Sequence, residues 1–163
     1  MDVQTRRAKE EDLARILTIY NQGIADRIAT LEVEEKDDAY IQAWFDDHQG
    51  RFQVLVAEVQ QEVVGWASLN RYSARKAYDG VADLSIYVER TYRGKGVGGV
   101  LLEKLEEVAH SEQFYKIVLF TFPVNGLGQG LYRKSGYREV GVFQNQGILD
   151  GKFVDVMAME KLL

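Results

Sequence analysis

The chain has 163 residues, of which 46% are hydrophobic and 28% charged, and its formal net charge is −5. These values are typical of one globular domain with a substantial core, so we expect a single domain over residues 1–163. The absence of cysteine excludes disulfide scaffolds and cysteine nucleophiles, and with two histidines the sequence predicts no metal site. The acidic balance argues against a nucleic-acid binder. No stretch has the apolar length of a signal peptide or a membrane span, which predicts a cytoplasmic protein without a membrane partner.

Hydrophobic periodicity predicts the elements of the N-terminal half. A short strand at residues 3–8 precedes an amphipathic helix that starts near Glu10, because apolar residues then recur at steps of three and four. A weaker helix follows near residues 37–47. Residues 52–59 and 63–70 are rich in β-branched and aromatic side chains, which predicts an antiparallel hairpin.

The C-terminal half alternates between strands and helices. After a loop, the predicted elements are a strand at 82–88, a helix at 97–110, a buried strand at 115–122, a short helix at 127–134, and strands at 137–143 and 153–160. Gly136 is well suited to end the short helix, because glycine readily adopts the left-handed conformation found there. This order of elements predicts an α/β domain with a mixed sheet.

Charge is unevenly distributed along the chain. Residues 31–50 contain seven acidic residues and one basic residue, whereas residues 71–76 and 90–96 each contain three basic residues and no acidic one. A local basic cluster in an acidic protein indicates a local anionic ligand, and a solvated surface is the alternative interpretation.

Residues 92–99 form a glycine-rich loop between a predicted strand and a predicted helix. Glycines let the backbone approach a ligand closely, and a helix start offers unpaired N–H groups, so the loop predicts an anion site, most often for phosphate. Arg93 and Lys95 add positive charge. No Lys-Ser or Lys-Thr follows a glycine, which excludes a P-loop. A dinucleotide fingerprint is formally present, but the next strand ends without the acidic residue that holds a ribose.

Two motifs carry a family resemblance. The segment from Arg93 to Gly98 reads R-G-K-G-V-G and matches [QR]-x-x-G-x-[GA], for which a structural turn is the alternative explanation. One strand further on, N-x-x-x-x-x-L-Y-x-x-x-G-Y begins at Asn125 and includes Tyr132. Both motifs and the order of elements resemble the GCN5-related N-acetyltransferase (GNAT) superfamily. The resemblance implies the α/β GNAT fold, a mixed and mostly antiparallel sheet of about seven strands flanked by four helices, and acetyl-CoA as the cofactor.

The resemblance also implies which residues bind acetyl-CoA. Backbone N–H groups of the glycine loop hold the pyrophosphate, Asn125 contacts the pantetheine arm, and one strand is splayed from its neighbour so that its backbone is free for the cofactor. The implied cofactor-binding residues are Ile86, Tyr87, Val88, Arg93, Gly94, Lys95, Gly96, Val97, Gly98 and Asn125.

Three further segments resemble the phosphinothricin N-acetyltransferase branch, whose members acetylate small amino acids. They are residues 19–31, an R-x-A-Y loop at 75–78, and the strand at 82–88. Two positions depart from the branch, which usually has Glu where this chain has Asp83 and Ser or Ala where it has Gly128. Glycine weakens a helix, so we expect an irregular start to the helix after Asn125.

The substrate-binding residues implied by this branch are Leu31, Arg75 and Tyr78. The Arg75 guanidinium would hold a carboxylate or phosphinate through two parallel hydrogen bonds. An exposed loop arginine without a ligand is the alternative interpretation of Arg75.

The chemistry of acetyl transfer assigns the catalytic roles. Asp83 is the candidate base for the amine, acting through water, and Tyr132 is the candidate donor to the leaving thiolate. A backbone N–H at residues 86–88 would stabilise the carbonyl oxygen. The alternatives are a strand carboxylate at Asp83 paired with Arg71 or Arg75, and a core tyrosine at position 132.

The predicted function is transfer of an acetyl group from acetyl-CoA to the primary amine of a small amino acid or analogue, such as phosphinothricin or methionine sulfone or sulfoximine. The alternatives are acetylation of another amine, either a polyamine or a protein N-terminus, and a non-catalytic acyl-CoA sensor. An acidic cleft lined by residues 31–50 would favour a cationic acceptor. The resemblance further implies a homodimer, with the C-terminal strands as its contact.

Overall fold

The computed structural model describes all residues, 1–163, and contains seven strands and four α-helices. The strands are β1 (Gln4–Arg7), β2 (Val54–Val59), β3 (Glu62–Arg71), β4 (Val81–Val88), β5 (Lys116–Thr121), β6 (Arg138–Leu149) and β7 (Lys152–Leu162). The helices are α1 (Leu13–Asp26), α2 (Asp38–Asp47), α3 (Val97–Ser111) and α4 (Gly126–Lys134). The predicted fold class, with seven strands and four helices, is confirmed. No helix is long and apolar enough to cross a membrane.

The seven strands form one sheet in the order β1-β2-β3-β4-β5-β7-β6. All neighbouring strands are antiparallel except β4 and β5, which are parallel. This parallel pair is short, because it covers only Val81, Ala82 and Asp83 on β4. Beyond Asp83, β4 stays paired with β3 up to Val88 but has no partner on its β5 side. The sheet is therefore split at its centre, as the family resemblance implies.

Helices cover both faces of the sheet. Along β2, Val54 and Val56 pack with α1 and α2, whereas Leu55 and Ala57 pack with α3. Neighbouring strand residues point to opposite faces, so α1 and α2 lie on one side and α3 on the other. The apolar stripes of α1 and α3 are fully buried against these faces, at Ile16, Ile19, Leu101, Leu102 and Leu105.

The C-terminal hairpin is longer than predicted. β6 continues to Leu149, so the predicted end at residue 143 is wrong, whereas β7 begins at Lys152, next to its predicted start at residue 153. The pairing is irregular between Phe143 and Gly147, which marks a bulge within a continuing strand. The connection is Asp150-Gly151, both at positive φ (51° and 78°), a sequence that favours the tight turn of a two-residue hairpin.

Candidate active site

The split between β4 and β5 exposes backbone groups of β4. The N–H of Glu89, just beyond the strand, donates to the carbonyl of Val64 in β3 at 2.7 Å. Because N–H groups alternate between the two edges of a strand, those of Ile86 and Val88 point to the open edge, and that of Tyr87 points to β3. Two of the three strand residues predicted to bind the cofactor therefore present free N–H groups to the split.

A groove of about 400 Å³ runs from this split along the glycine loop and α4. Gly94 and Gly96 adopt φ values of 74° and 90°, and nothing lies within 4 Å of where their Cβ atoms would stand. The first N–H groups of α3, from Val97 onward, have no partner within the helix. Positive φ values, open space and free N–H groups together fit the phosphates of coenzyme A.

The structure places most, but not all, of the predicted cofactor residues on this groove. Those that line it are Ile86, Tyr87, Val88, Arg93, Gly94, Gly96, Gly98 and Asn125. Lys95 does not line it, although its Nζ lies 5.6 Å from the centre of the ring of Tyr92, which does. The Val97 side chain is buried in the core, which leaves only its backbone for a ligand.

Arg93 is held by a residue that sequence reasoning missed. Its Nη1 lies 2.6 Å from Oδ2 of Asp26, at the end of α1, and Asp26 also forms two hydrogen bonds with Arg90. These contacts hold the pKa of Asp26 below its usual range. Asp26 thus fixes the orientation of the arginine at the entrance of the groove.

A second cavity, of about 320 Å³, adjoins the groove and is walled by aromatic side chains. These are Tyr20, Tyr40, Trp44, Trp66, Tyr87, Phe120, Phe122 and Tyr132. The ionisable groups among its other lining residues are the carboxylates Glu32 and Asp83, and no lysine or arginine lines it. We call it the acceptor cavity. Apart from Tyr87 and Tyr132, sequence reasoning did not separate these aromatic residues from ordinary core, because they are spread over distant elements from α1 to β5.

The groove and the acceptor cavity meet at five shared residues. They are Ala29, Ile86, Tyr87, Asn125 and Tyr132. A ligand in the groove and a ligand in the cavity would therefore touch each other at this junction, beside the free N–H of Ile86.

Asp83 lines the acceptor cavity at the point where β4 leaves β5. Burial raises the pKa of its carboxyl to about 6, and a hydrogen bond from Asn70 opposes that rise. The carboxylate forms no ion pair with Arg71 or Arg75, which removes the paired-carboxylate interpretation. An aspartate with this pKa is ionised at neutral pH and is a stronger base than an ordinary one.

Tyr132 reaches the junction from α4. Burial raises the pKa of its hydroxyl, so the hydroxyl keeps its proton at neutral pH. Its ring packs edge-on against Tyr137 with 5.7 Å between the ring centres. The side chain therefore combines core packing with a protonated hydroxyl at the junction.

Asn125 caps α4, whose first turn is regular rather than irregular as predicted. Its Oδ1 accepts a hydrogen bond from the N–H of Gly128 at 3.1 Å. A Cβ on Gly128 would lie only 2.6 Å from Nδ2 of Asn125. The departure to glycine at this position thus leaves room for the Asn125 side chain to fold over the helix start.

The three predicted substrate residues take different positions. Leu31 lines the acceptor cavity, and Tyr78 lines a second opening that also exposes Asp83. Arg75 is exposed on the same loop and lines neither space, whereas Arg71 lies at the rim of the second opening.

This geometry suits the transfer of an acyl group from an acyl-CoA in the groove to an acceptor in the adjoining cavity. The acetyltransferase (GNAT) family model matches residues 13–137, and the chain belongs to this family. It is an N-acetyltransferase that uses acetyl-CoA.

Relatives with named activities are similar over nearly the whole chain. A methionine sulfoximine and methionine sulfone acetyltransferase of Pseudomonas aeruginosa is 31% identical over 98% of this chain and 94% of its own. A phosphinothricin acetyltransferase from Sinorhizobium meliloti, solved with acetyl-CoA, is 26% identical with a TM-score of 0.95, covering 100% and 89% of the two chains. A structure of a ribosomal-protein-alanine N-acetyltransferase from Brucella melitensis is 30% identical with a TM-score of 0.95, covering 98% and 99%.

Replacing Gly130 by alanine should raise the free energy of unfolding by up to about 1 kcal/mol, because alanine favours a helix interior and its Cβ meets nothing within 4 Å. Gly128→Ala should gain less, because the new methyl group displaces the Asn125 cap, which is worth about 1 kcal/mol. Urea denaturation of the two variants measures the difference. Equal gains would show that Asn125 does not depend on the glycine.

Proposed function

We propose that the chain transfers the acetyl group of acetyl-CoA to the primary amine of a small amino acid or analogue of the phosphinothricin and methionine sulfone or sulfoximine type. The observation that carries this proposal is the junction of the two cavities, with the unpaired Asp83 carboxylate on the acceptor side. The amine attacks the thioester directly. A chain without cysteine has no thiol of its own to carry the acetyl group.

Asp83 prepares the amine for attack. An ammonium group cannot attack until it loses a proton, and the Asp83 carboxylate faces the cavity in which the acceptor binds. With a pKa of about 6, the carboxylate is ionised at neutral pH, attracts the ammonium and accepts its proton, directly or through a water molecule.

Backbone and tyrosine groups stabilise the charges that develop on the other side of the junction. Acetyl-CoA supplies the thioester carbonyl and the thiolate leaving group. The N–H of Ile86 or Val88 on the open edge of β4 donates to the carbonyl oxygen. The protonated hydroxyl of Tyr132 donates to the sulfur, and a hydrogen bond suffices because a tyrosine is a weaker acid than a thiol.

The acceptor cavity fits a small ligand with an amine. Its volume is near the lower end of the range for small-molecule sites, and its aromatic walls exclude water from the attacking nitrogen. Its own lining holds no cation for the acceptor's carboxylate. We assign that role to the loop between β3 and β4, where Tyr78 lines the second opening and the exposed Arg75 forms no ion pair. The substrates named for the Pseudomonas relative support this class.

A protein N-terminus or a polyamine is the second candidate acceptor. Glu32, the one member of the acidic segment 31–50 that lines the cavity as a carboxylate, favours a cation, although it pairs with Lys36 at 2.8 Å. The structural neighbour from Brucella melitensis, a ribosomal-protein-alanine N-acetyltransferase, supports this candidate.

Thiol release from acetyl-CoA should be fast with methionine sulfone or phosphinothricin and slow with spermidine or an alanine-terminated peptide. Arg75→Ala should raise the KM for the amino acid by about tenfold, because a charge-assisted pair of hydrogen bonds is lost. Lys76→Ala is the matched control and should leave that KM unchanged. Release only with the peptide or the polyamine would replace the proposed substrate class by the second candidate.

The rate should rise with pH through about 6, because Asp83 is protonated below that value and cannot accept a proton. Asp83→Asn keeps the shape of the side chain, removes the base, and should lower kcat by about 10²-fold or more while the acidic limb disappears. Profiles of kcat/KM between pH 5 and 8 test this. A variant that keeps both its rate and its acidic limb would overturn the role of Asp83.

We also infer that the chain forms a homodimer through β6. This strand is one of the two outer edges of the sheet and spans 12 residues, whereas the other edge, β1, has four. Large apolar residues on the terminal hairpin are 41–65% exposed: Val140, Val142, Phe143, Ile148 and Phe153. A long apolar edge strand promotes uncontrolled association unless something covers it, and a second copy of the same edge is the simplest cover.

Light scattering should give the wild-type chain twice its 18.6 kDa mass. Val142→Lys places a charge on the proposed contact and should yield the monomer, whereas Val100→Lys, on the exposed side of α3, should not. A wild-type chain that is monomeric at all accessible concentrations would contradict the dimer.

A further inference from the structure

The side chain opposite Asp83 is unusually well anchored. Asn70 on β3 is the direct partner of Asp83 in the register, and its amide engages four groups. Oδ1 lies 2.8 Å from both Oγ of Ser68 and Nε2 of His48, while Nδ2 lies 3.0 Å from Oγ of Ser85 and 3.4 Å from Oδ2 of Asp83. Two acceptor sites and two N–H groups are all that an amide offers, so this one is saturated.

His48 ties this amide to the end of α2. Its Nδ1 lies 2.8 Å from the carbonyl oxygen of Trp44, which can only accept, so Nδ1 carries a hydrogen. The imidazole also packs against the Trp44 ring with 4.6 Å between the centres. The ring is therefore fixed, and its Nε2 is directed at Asn70.

The orientation of the Asn70 amide decides what the Asp83 carboxylate meets. In the observed orientation a donor faces the carboxylate, which favours its ionised form. The reverse orientation would place the amide oxygen against the carboxylate. On the other side of the amide, Nε2 of His48 lies 2.8 Å from Oδ1. An imidazole, an amide and a carboxylate thus follow one another across the sheet.

No other side chain around Asp83 donates a hydrogen bond to its carboxylate. Across the second opening it faces Arg71, Tyr72 and Tyr78, and across the acceptor cavity it faces Glu32 and the tyrosine hydroxyls. None of these forms an ion pair with the carboxylate. The hydrogen bonds that oppose the effect of burial come from Asn70 and from the backbone at Leu84.

We propose that Asn70 is the positioning residue of Asp83, and that His48 acts through Asn70 by fixing the direction of its amide. The proposal rests on the role of Asp83 as the base. An aspartate is one methylene shorter than a glutamate, so its carboxylate stays close to the sheet. There, the side chain directly opposite on the neighbouring strand is within reach and can hold it.

Removal of the amide should shift the pH dependence rather than merely lower the rate. In Asn70→Ala the carboxylate loses its donor, so the acidic limb of kcat/KM should move up by about one pH unit. Activity should then fall about tenfold below the limb and recover at higher pH. The KM for acetyl-CoA should not change, because Asn70 does not line the cofactor groove.

The His48 variants test the second half of the proposal. His48→Ala should shift the limb in the same direction by less, and His48→Gln, whose amide can still donate to Oδ1, should restore most of the wild-type profile. Gln49→Ala, at the exposed neighbour of His48, is the control and should leave the profile unchanged. A limb that stays in place in both Asn70→Ala and His48→Ala would overturn the proposal, whatever their rates.

A double variant separates this proposal from the proposed function. If Asn70 acts through Asp83, Asn70→Ala should cost nothing further in an Asp83→Asn background. An additional loss of similar size in that background would show that Asn70 supports the fold instead. Calorimetric binding of coenzyme A to each variant confirms a folded site. If Asp83→Asn itself keeps its rate, the role of the base fails, and the positioning proposal fails with it.

Discussion

The rest of the site depends on the place where the parallel pairing of β4 with β5 ends, which is Asp83. Three paired residues hold the two halves of the sheet together, and the next five residues of β4 are bonded on the β3 side only. A continuous sheet would satisfy every backbone group of β4 and would leave nothing for a ligand. Because the strands separate, the sheet gains an internal edge whose N–H groups are shielded by helices on both faces yet open to the cofactor groove.

The position of Asp83 follows from the same end of the β4–β5 pairing. It is the last residue of β4 that pairs with β5, so its carboxylate lies where the two halves of the sheet divide, and it lines both the acceptor cavity and the second opening. Burial between the separating strands disfavours the charged form of the carboxyl and raises its pKa, while the Asn70 amide favours the charged form and limits that rise. The result is a group that is ionised near neutrality but still basic enough to exchange a proton.

Local features of the site could be predicted from the sequence, whereas contacts between distant residues could not. The glycine loop and the start of α3 depend on adjacent residues, and both were placed correctly. The contact of Asp26 with Arg93 joins residues 67 positions apart, and that of His48 with Asn70 joins residues 22 apart. Hydrophobic periodicity along the chain does not predict contacts between such distant residues. The bulge in β6 was missed for a related reason, since a break in alternation looks like the end of a strand unless its partner is known.

The departure from glutamate to aspartate at position 83 is best understood together with the amide opposite it. The carboxylate of a glutamate would extend one methylene further into the acceptor cavity and would lie farther from the Asn70 side chain on β3. An aspartate remains next to β3, where its orientation depends on the side chain that faces it. Asn70 can serve that purpose only if its amide keeps one orientation, and of its contacts with Ser68, Ser85 and His48 only the last can favour one, because a hydroxyl both donates and accepts. The shorter acid and the saturated amide therefore form one arrangement. Without Asn70 the Asp83 carboxylate would lose the side chain that orients it, and with a longer acid at position 83 the Asn70 amide would lose its contact with the carboxylate.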